Sequence, residues 1–222
     1  MRTVAMRTVA MRTKVKICGI MSEAALVACL SAGADAVGFV FYPPSPRALS
    51  PDHAGGLASR APHLLKVGLF VDADDALLDA AVQQARLGAI QLQGGESAAR
   101  VAAVQARYGI PVWRAVGVRT AADLRAANQE FSGADALLLD AKAPAGGLLP
   151  GGNGLRFDWR LLADARPTLP WVLAGGLDAA NVAEAIRQTG AGFVDVSSGV
   201  EDAPGAKSLA KIGAFIKAAR HA

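Results

Sequence analysis

Gly33-Ala34-Asp35-Ala36-Val37-Gly38-Phe39-Val40-Phe41 opens like the end of a helix and closes like a buried strand. The same joint recurs as Gly133-Ala134-Asp135-Ala136-Leu137 and as Gly190-Ala191-Gly192-Phe193-Val194. The first glycine of each is expected to take the left-handed conformation that ends a helix. The apolar run behind it then continues as a strand. A joint repeated in this way is an internal repeat of one βα unit, and it speaks for barrel symmetry rather than for separate domains.

Outward from these joints, short β-branched runs alternate with Ala-rich segments of helical period. Strands are expected at Val15–Cys18, Ala36–Phe41, Leu65–Val71, Ala89–Gln93, Val112–Val118, Ala136–Asp140, Trp171–Ala174 and Phe193–Ser197. Helices are expected near 22–31, 51–60, 74–85, 97–107, 121–129, 158–163, 179–188 and 207–219. Ser22, Thr120 and Asp178 stand where N-caps belong. No two strands lie close enough for a tight hairpin, and parallel strands need helical crossovers. Eight βα units in about 200 residues predict a single-domain α/β protein, a closed (β/α)8 TIM barrel. An open doubly wound sheet would need a Gly-rich turn after its first strand and an acidic residue about 20 residues later. Gly19 alone does not make that turn, and the Gly-rich stretches come after the sixth and seventh strands.

The chain has 222 residues, 52% of them hydrophobic, which suffices for one large core. Its formal charge is +4, and +2 without Arg2 and Arg7 of the leader. That is too weak and dispersed for a nucleic-acid footprint but suits a small anionic substrate. No run of 18 apolar residues suggests a membrane span. The cysteines, Cys18 and Cys29, have no metal-ligand spacing, and nothing points to secretion, so a cytoplasmic protein is expected. Met1-Arg2-Thr3-Val4-Ala5 repeats from Met6 and begins again at Met11. Residues 1–12 are therefore expected to be a disordered leader and 13–222 the barrel domain. No exposed helix reads as apolar all round, so a monomer is expected.

A (β/α)8 barrel carries its active site at the C-terminal ends of its strands. Those ends are Cys18, Phe41 with its loop, Val71, Gln93, Val118, Asp140, Gly175-Gly176 and Ser197-Ser198-Gly199. Cys18 and Asp140 are the strand-end groups able to carry protons; His53, His63 and His221 lie elsewhere. Cys29 sits on an apolar stripe with Leu26 and Leu30 and reads as packing. Side chains alternate along a strand, so Lys16 shares a face with Cys18, and Gln91 one with Gln93. Lys16 either favours the Cys18 thiolate by its charge or forms an interior ion pair with Asp140 or Asp195. Asp140 follows three leucines, and a partly desolvated carboxyl there suits a general acid. Gly175-Gly176 and Ser197-Ser198-Gly199 offer backbone N–H groups and hydroxyls where barrels commonly bind phosphate. The loop Pro144–Gly154, with five glycines and two prolines, reads as a mobile cover. Arg47, in Ser45-Pro46-Arg47, could clamp a carboxylate.

Taken together, the segments identify a family. Val15-Lys16-Ile17-Cys18-Gly19-Ile20, Gly33 to Pro43 with Ser45-Pro46-Arg47, Val67 to Val71, Leu138-Leu139-Asp140, Gly151-Gly152-Asn153-Gly154, Phe157-Asp158-Trp159, Leu173 to Leu177 and Val194 to Glu201 resemble phosphoribosylanthranilate isomerase of tryptophan biosynthesis. The resemblance implies a cofactor-free Amadori rearrangement with no metal. N-(5-phosphoribosyl)anthranilate would become 1-(2-carboxyphenylamino)-1-deoxyribulose 5-phosphate. It implies Asp140 as acid and Cys18 as base, with Arg47 on the anthranilate carboxylate. Gln93, Gly152 and Gly154 are expected to bind substrate, and Gly175, Gly176, Ser197, Ser198 and Gly199 its phosphate.

The chain departs from the family pattern at three places. Gln91-Leu92-Gln93-Gly94 replaces the usual Gln-Leu-His-Gly, Leu155-Arg156 replaces Lys-Thr, and Ala206-Lys207-Ser208 lacks the usual aspartate. Two other functions remain possible on the sequence. One is a related phosphosugar-barrel isomerase of another pathway, which would carry aspartate where Cys18 stands. The other is a catalytically silent barrel that binds anionic metabolites.

Overall fold

Eight parallel strands close on themselves in sequence order. They are β1 (Lys14–Cys18), β2 (Ala36–Val40), β3 (Leu65–Phe70), β4 (Ala89–Leu92), β5 (Val112–Val118), β6 (Ala136–Ala141), β7 (Trp171–Leu173) and β8 (Phe193–Val196). The computed structural model describes residues 12–142 and 154–222. The leader expected over 1–12 and the cover expected over Pro144–Gly154, Gly152 included, lie outside the described residues, apart from Arg12 and Gly154. Helices α1 (Glu23–Ala32), α2 (Pro51–Ser59), α3 (Asp75–Gln84), α4 (Ala98–Tyr108), α5 (Ala121–Glu130), α6 (Leu161–Asp164), α7 (Val182–Thr189) and α8 (Leu209–Arg220) alternate with the strands. No helix among the described residues is long and apolar enough to cross a membrane.

The repeated joint has a physical cause. Asp35 accepts the backbone N–H of Val15 at 2.7 Å, and Asp135 accepts that of Val112 at 2.8 Å. Each aspartate thus pins the start of the preceding strand to the joint that launches the next. At the third joint, where Gly192 replaces the aspartate, the Gly192 carbonyl itself accepts from the Lys14 N–H at 2.8 Å. Gly33 and Gly190 take positive φ, 78° and 67°, as expected. Gly133 does not: α5 already ends at Phe131, whose N–H caps the Ala127 carbonyl.

The caps fall as the sequence indicates at Ser22 and Thr120, the latter in a reciprocal box with Asp123. Asp178 differs. Its Oδ1 accepts from the Ala180 and Asn181 N–H groups, which fixes a turn and delays α7 to Val182. A second correction follows β8. Glu201–Ala203 (β9) and Ala206–Lys207 (β10) form a small antiparallel hairpin, where no tightly joined strand pair was expected. Gly205 makes its turn at φ 83°.

The barrel interior is graded. One interior cluster is apolar: Val67, Leu138 and Val172 pack with alanines at 36, 89 and 136 and with Trp113. Small residues on the even strands leave the volume that Trp113 fills, the alternation expected of packed barrel layers. Trp113 meets Phe193 edge-on at 5.5 Å at the N-terminal end. Elsewhere the interior is polar, with Lys16, Gln91 and Asp195 all buried. Gln91 and Asp195 reach the cleft at the C-terminal mouth.

Candidate active site

The mouth is a cleft of about 720 Å³, counted with its solvent-open entrance. Cys18, Arg47, Gln93, Asp140, Gly154, Gly175, Gly176, Ser197 and Ser198 all line it. Nine of the residues picked from strand ends and loops therefore converge on one site. Gly199 stands just behind, and Gly152 lies outside the described residues.

Cys18 closes β1 and is 4% exposed. Its partner across the ladder is Gly38, and this position cannot carry a side chain. A Cβ there would stand 2.8 Å from the Cys18 Sγ and 3.2 Å from the Lys16 Cε. Gly38 thus opens the space in which thiol and ammonium lie side by side. Lys16, fully buried, donates to Asp195 at 2.9 Å and to Gln91 at 3.0 Å. Of the two roles left open for Lys16, the ion pair is present, with Asp195, and the ammonium also bears on the thiol. Burial pushes the Cys18 thiol up, and it does so despite the opposing pull of Lys16. Burial draws the Lys16 ammonium down, but Asp195 and Cys18 together outweigh it, so its net direction is up.

Arg47 sits beside this corner, 6% exposed, its aliphatic stem folded against Gly19. Gly19 has φ 79°, and a Cβ there would reach the Arg47 Cδ at 2.7 Å. Nε and Nη2 of Arg47 donate to the two carboxylate oxygens of Glu201, each at 2.8 Å. Lys207 adds a second cation on Glu201 at 2.6 Å. Burial works to raise the Glu201 carboxyl, but Arg47 and Lys207 outweigh it and hold it below its ordinary 4.5. Lys207 also donates to the Ser197 carbonyl at 3.0 Å, and the Ser197 hydroxyl donates to the Cys18 carbonyl at 3.2 Å. The β9–β10 hairpin is thereby bolted to β1 and to the loop after β2.

Asp140 occupies the facing wall, half-buried on β6. Its Oδ1 accepts from the Ala141 N–H at 2.8 Å, and its Oδ2 faces the Gln93 Nε2 at 3.4 Å. Lys142 pairs with Asp123 at 3.0 Å. Gly175 allows β7 to pass close behind, since a Cβ there would lie 2.7 Å from the Ala141 N. The loop that carries Gln93 is braced from outside the barrel. Arg114, 8% exposed, donates to the Leu92 and Gly94 carbonyls at 2.9 and 2.7 Å. Asp72, at φ 49°, accepts from the Gly95 N–H at 2.7 Å while Glu96 accepts from its own N–H at 2.9 Å.

At the third side of the cleft two turns meet. Gly175 and Gly176 have φ 83° and 60°. The Gly176 carbonyl is held by the Asn181 amide and by the Arg156 Nε, both at 3.0 Å. The facing turn is the short 3-10 segment Ser198–Val200. A Cβ on Gly199 would fall 1.9 Å from the Leu177 carbonyl oxygen, so these two turns touch only because that residue is glycine.

Glu201 and Lys207 were not among the residues selected from the sequence, and Gln91 and Asp195 entered only as a neighbour of Gln93 and a possible partner of Lys16. The inward periodicity of β4 and β8 places Gln91 and Asp195 beneath Gln93 and Ser197. No comparable local signal marks Glu201 and Lys207, whose partners lie across the mouth.

Fold and cleft define the class: a (β/α)8-barrel enzyme whose cleft at the strand ends is lined by a thiol, a carboxyl and a Gly-Ser turn pair. The pattern of the family described as N-(5'phosphoribosyl)anthranilate (PRA) isomerase matches residues 15–218, and the chain belongs to that family. It is 55% identical over 208 residues to the N-(5'-phosphoribosyl)anthranilate isomerase of Paramagnetospirillum magneticum, which covers 93% of this chain and 97% of that one. The Paracoccus denitrificans protein of the same name is 55% identical over 203 residues, 91% of this chain and 94% of that one. Among solved structures, phosphoribosyl anthranilate isomerase from Thermotoga maritima superposes with TM-score 0.85 at 38% identity, over 95% of this chain and 100% of that one. A phosphoribosyl anthranilate isomerase in complex with reduced 1-(O-carboxyphenylamino)-1-deoxyribulose 5-phosphate gives TM-score 0.82 at 36% identity, with the same coverage.

Proposed function

We propose that the chain isomerises N-(5-phosphoribosyl)anthranilate in tryptophan biosynthesis through Asp140 and Cys18. The observation that carries this reading is the placement of these two proton carriers on facing walls of one cleft. Asp140 gives its proton to the ring oxygen of the furanose. The C1′–O bond breaks, and the anthranilate nitrogen's lone pair closes a C1′=N double bond. The Cys18 thiolate then takes the proton on C2′. That electron pair forms C1′=C2′, and the C=N pair returns to nitrogen. The enolamine collapses to the ketone as the C2′ hydroxyl loses its proton and C1′ gains one. The cationic Schiff base supplies a positive charge beside a thiol that burial disfavours as thiolate, and Lys16 supplies another.

Arg47 is the group for the anthranilate carboxylate. Glu201 takes two of its five N–H donors, which fixes the guanidinium plane and leaves other donors for a second, forked contact. Gly175, Gly176 and the Ser197–Gly199 turn would take the phosphate on backbone N–H groups, with Gly154 and Gln93 along the ribose. Gln93 can donate and accept but carries no proton in the reaction.

The chain is read as a cytoplasmic monomer. Both cysteines are free, and Val27, Leu30, Leu155 and Leu209 are the exposed large apolar residues among those described. Sedimentation at micromolar concentration tests the monomer, and a dimer would contradict it. The decisive functional test is loss of phosphoribosylanthranilate fluorescence with the purified chain. Turnover supports the assignment; a folded chain that binds the substrate without consuming it would replace it with the silent-barrel reading.

A further inference from the structure

A line of hydrogen bonds crosses the barrel beneath the cleft. It runs from Asp195 to Lys16 (2.9 Å), Lys16 to Gln91 (3.0 Å), Gln91 to Gln93 (2.5 Å) and Gln93 to Asp140 (3.4 Å). Its root is sealed from water, with Lys16 0% and Gln91 1% exposed. Its tip opens into the cleft. We propose that Lys16 is a positioning residue for the acid half of the site: it orients the Gln91–Gln93 amide chain so that an N–H of Gln93 faces the Asp140 carboxyl. The proposal rests on the acid role given to Asp140 above.

Direction along this line is set by chemistry. A carboxamide can be turned either way, its oxygen and nitrogen nearly alike in shape. An ammonium cannot: it has three donors and no acceptor. Whatever stands against the Lys16 Nζ must present an oxygen, so the Gln91 Oε1 faces inward and its Nε2 faces the mouth. The Gln93 Oε1 meets that Nε2, so the Gln93 Nε2 points onward to Asp140. Reversing either amide would set two donors or two acceptors against each other. Asp195 accepts a hydrogen bond from another Lys16 N–H and keeps the ammonium in place.

This orientation bears on the reaction at one moment. As Asp140 releases its proton, negative charge grows on its oxygens. An N–H already aimed at Oδ2, in a chain polarised by a buried cation, meets that charge without reorganisation. At 3.4 Å the contact is long at rest, and such contacts tighten as charge develops. An interaction made chiefly in the transition state raises kcat and leaves substrate binding nearly unchanged. A Gln91 that merely filled the barrel would have no such signature.

The test is a double-mutant cycle on the full chain, read by substrate fluorescence. Gln91→Leu is expected to lower kcat about tenfold or more with KM within about twofold, and Gln93→Leu, which also loses its place along the ribose, to lower kcat as far while raising KM. The double variant is expected to be no slower than Gln93→Leu alone, because one break already interrupts the chain. Independent, multiplying losses, or an unchanged kcat in Gln91→Leu, would overturn the proposal. Should leucine disturb the interior, Gln91→Glu serves instead. Its carboxylate still accepts from Lys16 but has no proton for Gln93, so kcat is again expected to fall, and an unchanged value overturns the idea.

A second readout needs no turnover and so separates this proposal from the functional assignment. The 13C signal of the Asp140 carboxyl is expected to titrate at higher pH in Gln91→Leu than in wild type, because a donor to the carboxylate is lost. Among the described residues, the groups around it include Gln93 from β4, the Gly175 backbone after β7, and Lys142 of its own strand's end, paired with Asp123 of α5. An unmoved titration contradicts the orienting role even in an active enzyme. A wild-type chain without turnover contradicts the assignment alone.

Discussion

The two walls of the cleft are built by opposite means. Around Cys18 the protein packs charge: Lys16 with Asp195, and Arg47 and Lys207 with Glu201, all buried or nearly so. At Asp140 the contacts among the described residues include neutral groups, the Gln93 amide, the Ala141 N–H and the close-passing Gly175 backbone. The contrast matches the roles proposed for the two groups. A thiol buried in an apolar barrel resists ionisation, and only nearby cations can offset that. An acid must hold its proton until the substrate takes it, so cations pressed against it would work the wrong way. The ion pairs have a second effect, since they tie the hairpin after β8 to β1 and β2 and so hold the base rigidly. The amide wall is lighter and better able to adjust as charge moves onto Asp140.

If the walls differ in this way, variants should separate them. The largest effect is expected on the neutral wall. Asp140→Asn keeps the shape and removes the proton, so kcat should fall by about 10²–10⁴ while thermal melting stays close to wild type. A small change in kcat would mean that the acid lies elsewhere.

On the charged wall, Glu201→Gln should be felt first as stability. It leaves two buried cations facing a neutral amide, and breaking a buried pair costs about 3–5 kcal/mol, read by denaturant unfolding. The pH dependence has a definite sign. The folded carboxyl sits below its ordinary 4.5, so its contribution is complete above that value and is lost as pH falls through the lower folded value. Wild-type stability should therefore drop on acidification where the Glu201→Gln curve is flatter. Parallel curves would show that Glu201 does not carry the charged wall.

Gly38→Ala comes next. The added methyl would meet the Cys18 Sγ at 2.8 Å and its Cα at 3.0 Å. Overpacking of this kind costs about 1–3 kcal/mol, and the displaced thiol should lower kcat more than it raises KM. Unchanged kinetics would show that Cys18 needs no such close placement. The smallest effect is expected from Gln93→His, a gain of a few-fold in kcat/KM, since a neutral imidazole can also donate an N–H to Asp140 and restores the residue usual in the family pattern. No change, or a loss, would mean that the cleft is adapted to the amide chain beneath it.

Much of this was legible in the chain because it is local. Strand and helix periodicity marks each βα unit, and inward alternation turns strand ends into a list of mouth residues. Cys18 and Asp140 follow from that list. The Lys16–Asp195 pair was one of the alternatives the alternation offered, but the Arg47–Glu201 part of the charged wall was not, because the two are separated by 154 positions and each is an ordinary surface residue by type. The β9–β10 hairpin is too short to show a pattern. The α7 start was misplaced because Asp178 caps a turn rather than the helix. The balance at Cys18 was also out of reach: Lys16 could be paired with it by alternation, but only the depth of burial shows that desolvation prevails. The Asp35 and Asp135 pins explain the repeated joint from which the fold was read, though the repeat itself does not reveal what the aspartates hold.

The central claim is that Cys18 takes the C2′ proton from a buried, charge-lined corner. It is tested most directly by single-turnover fluorescence decay of phosphoribosylanthranilate on Cys18→Ala, with the fold checked by circular dichroism and binding by titration. The account predicts that substrate still binds and that its conversion slows by about 10²–10⁴. Conversion at close to the wild-type rate would contradict it.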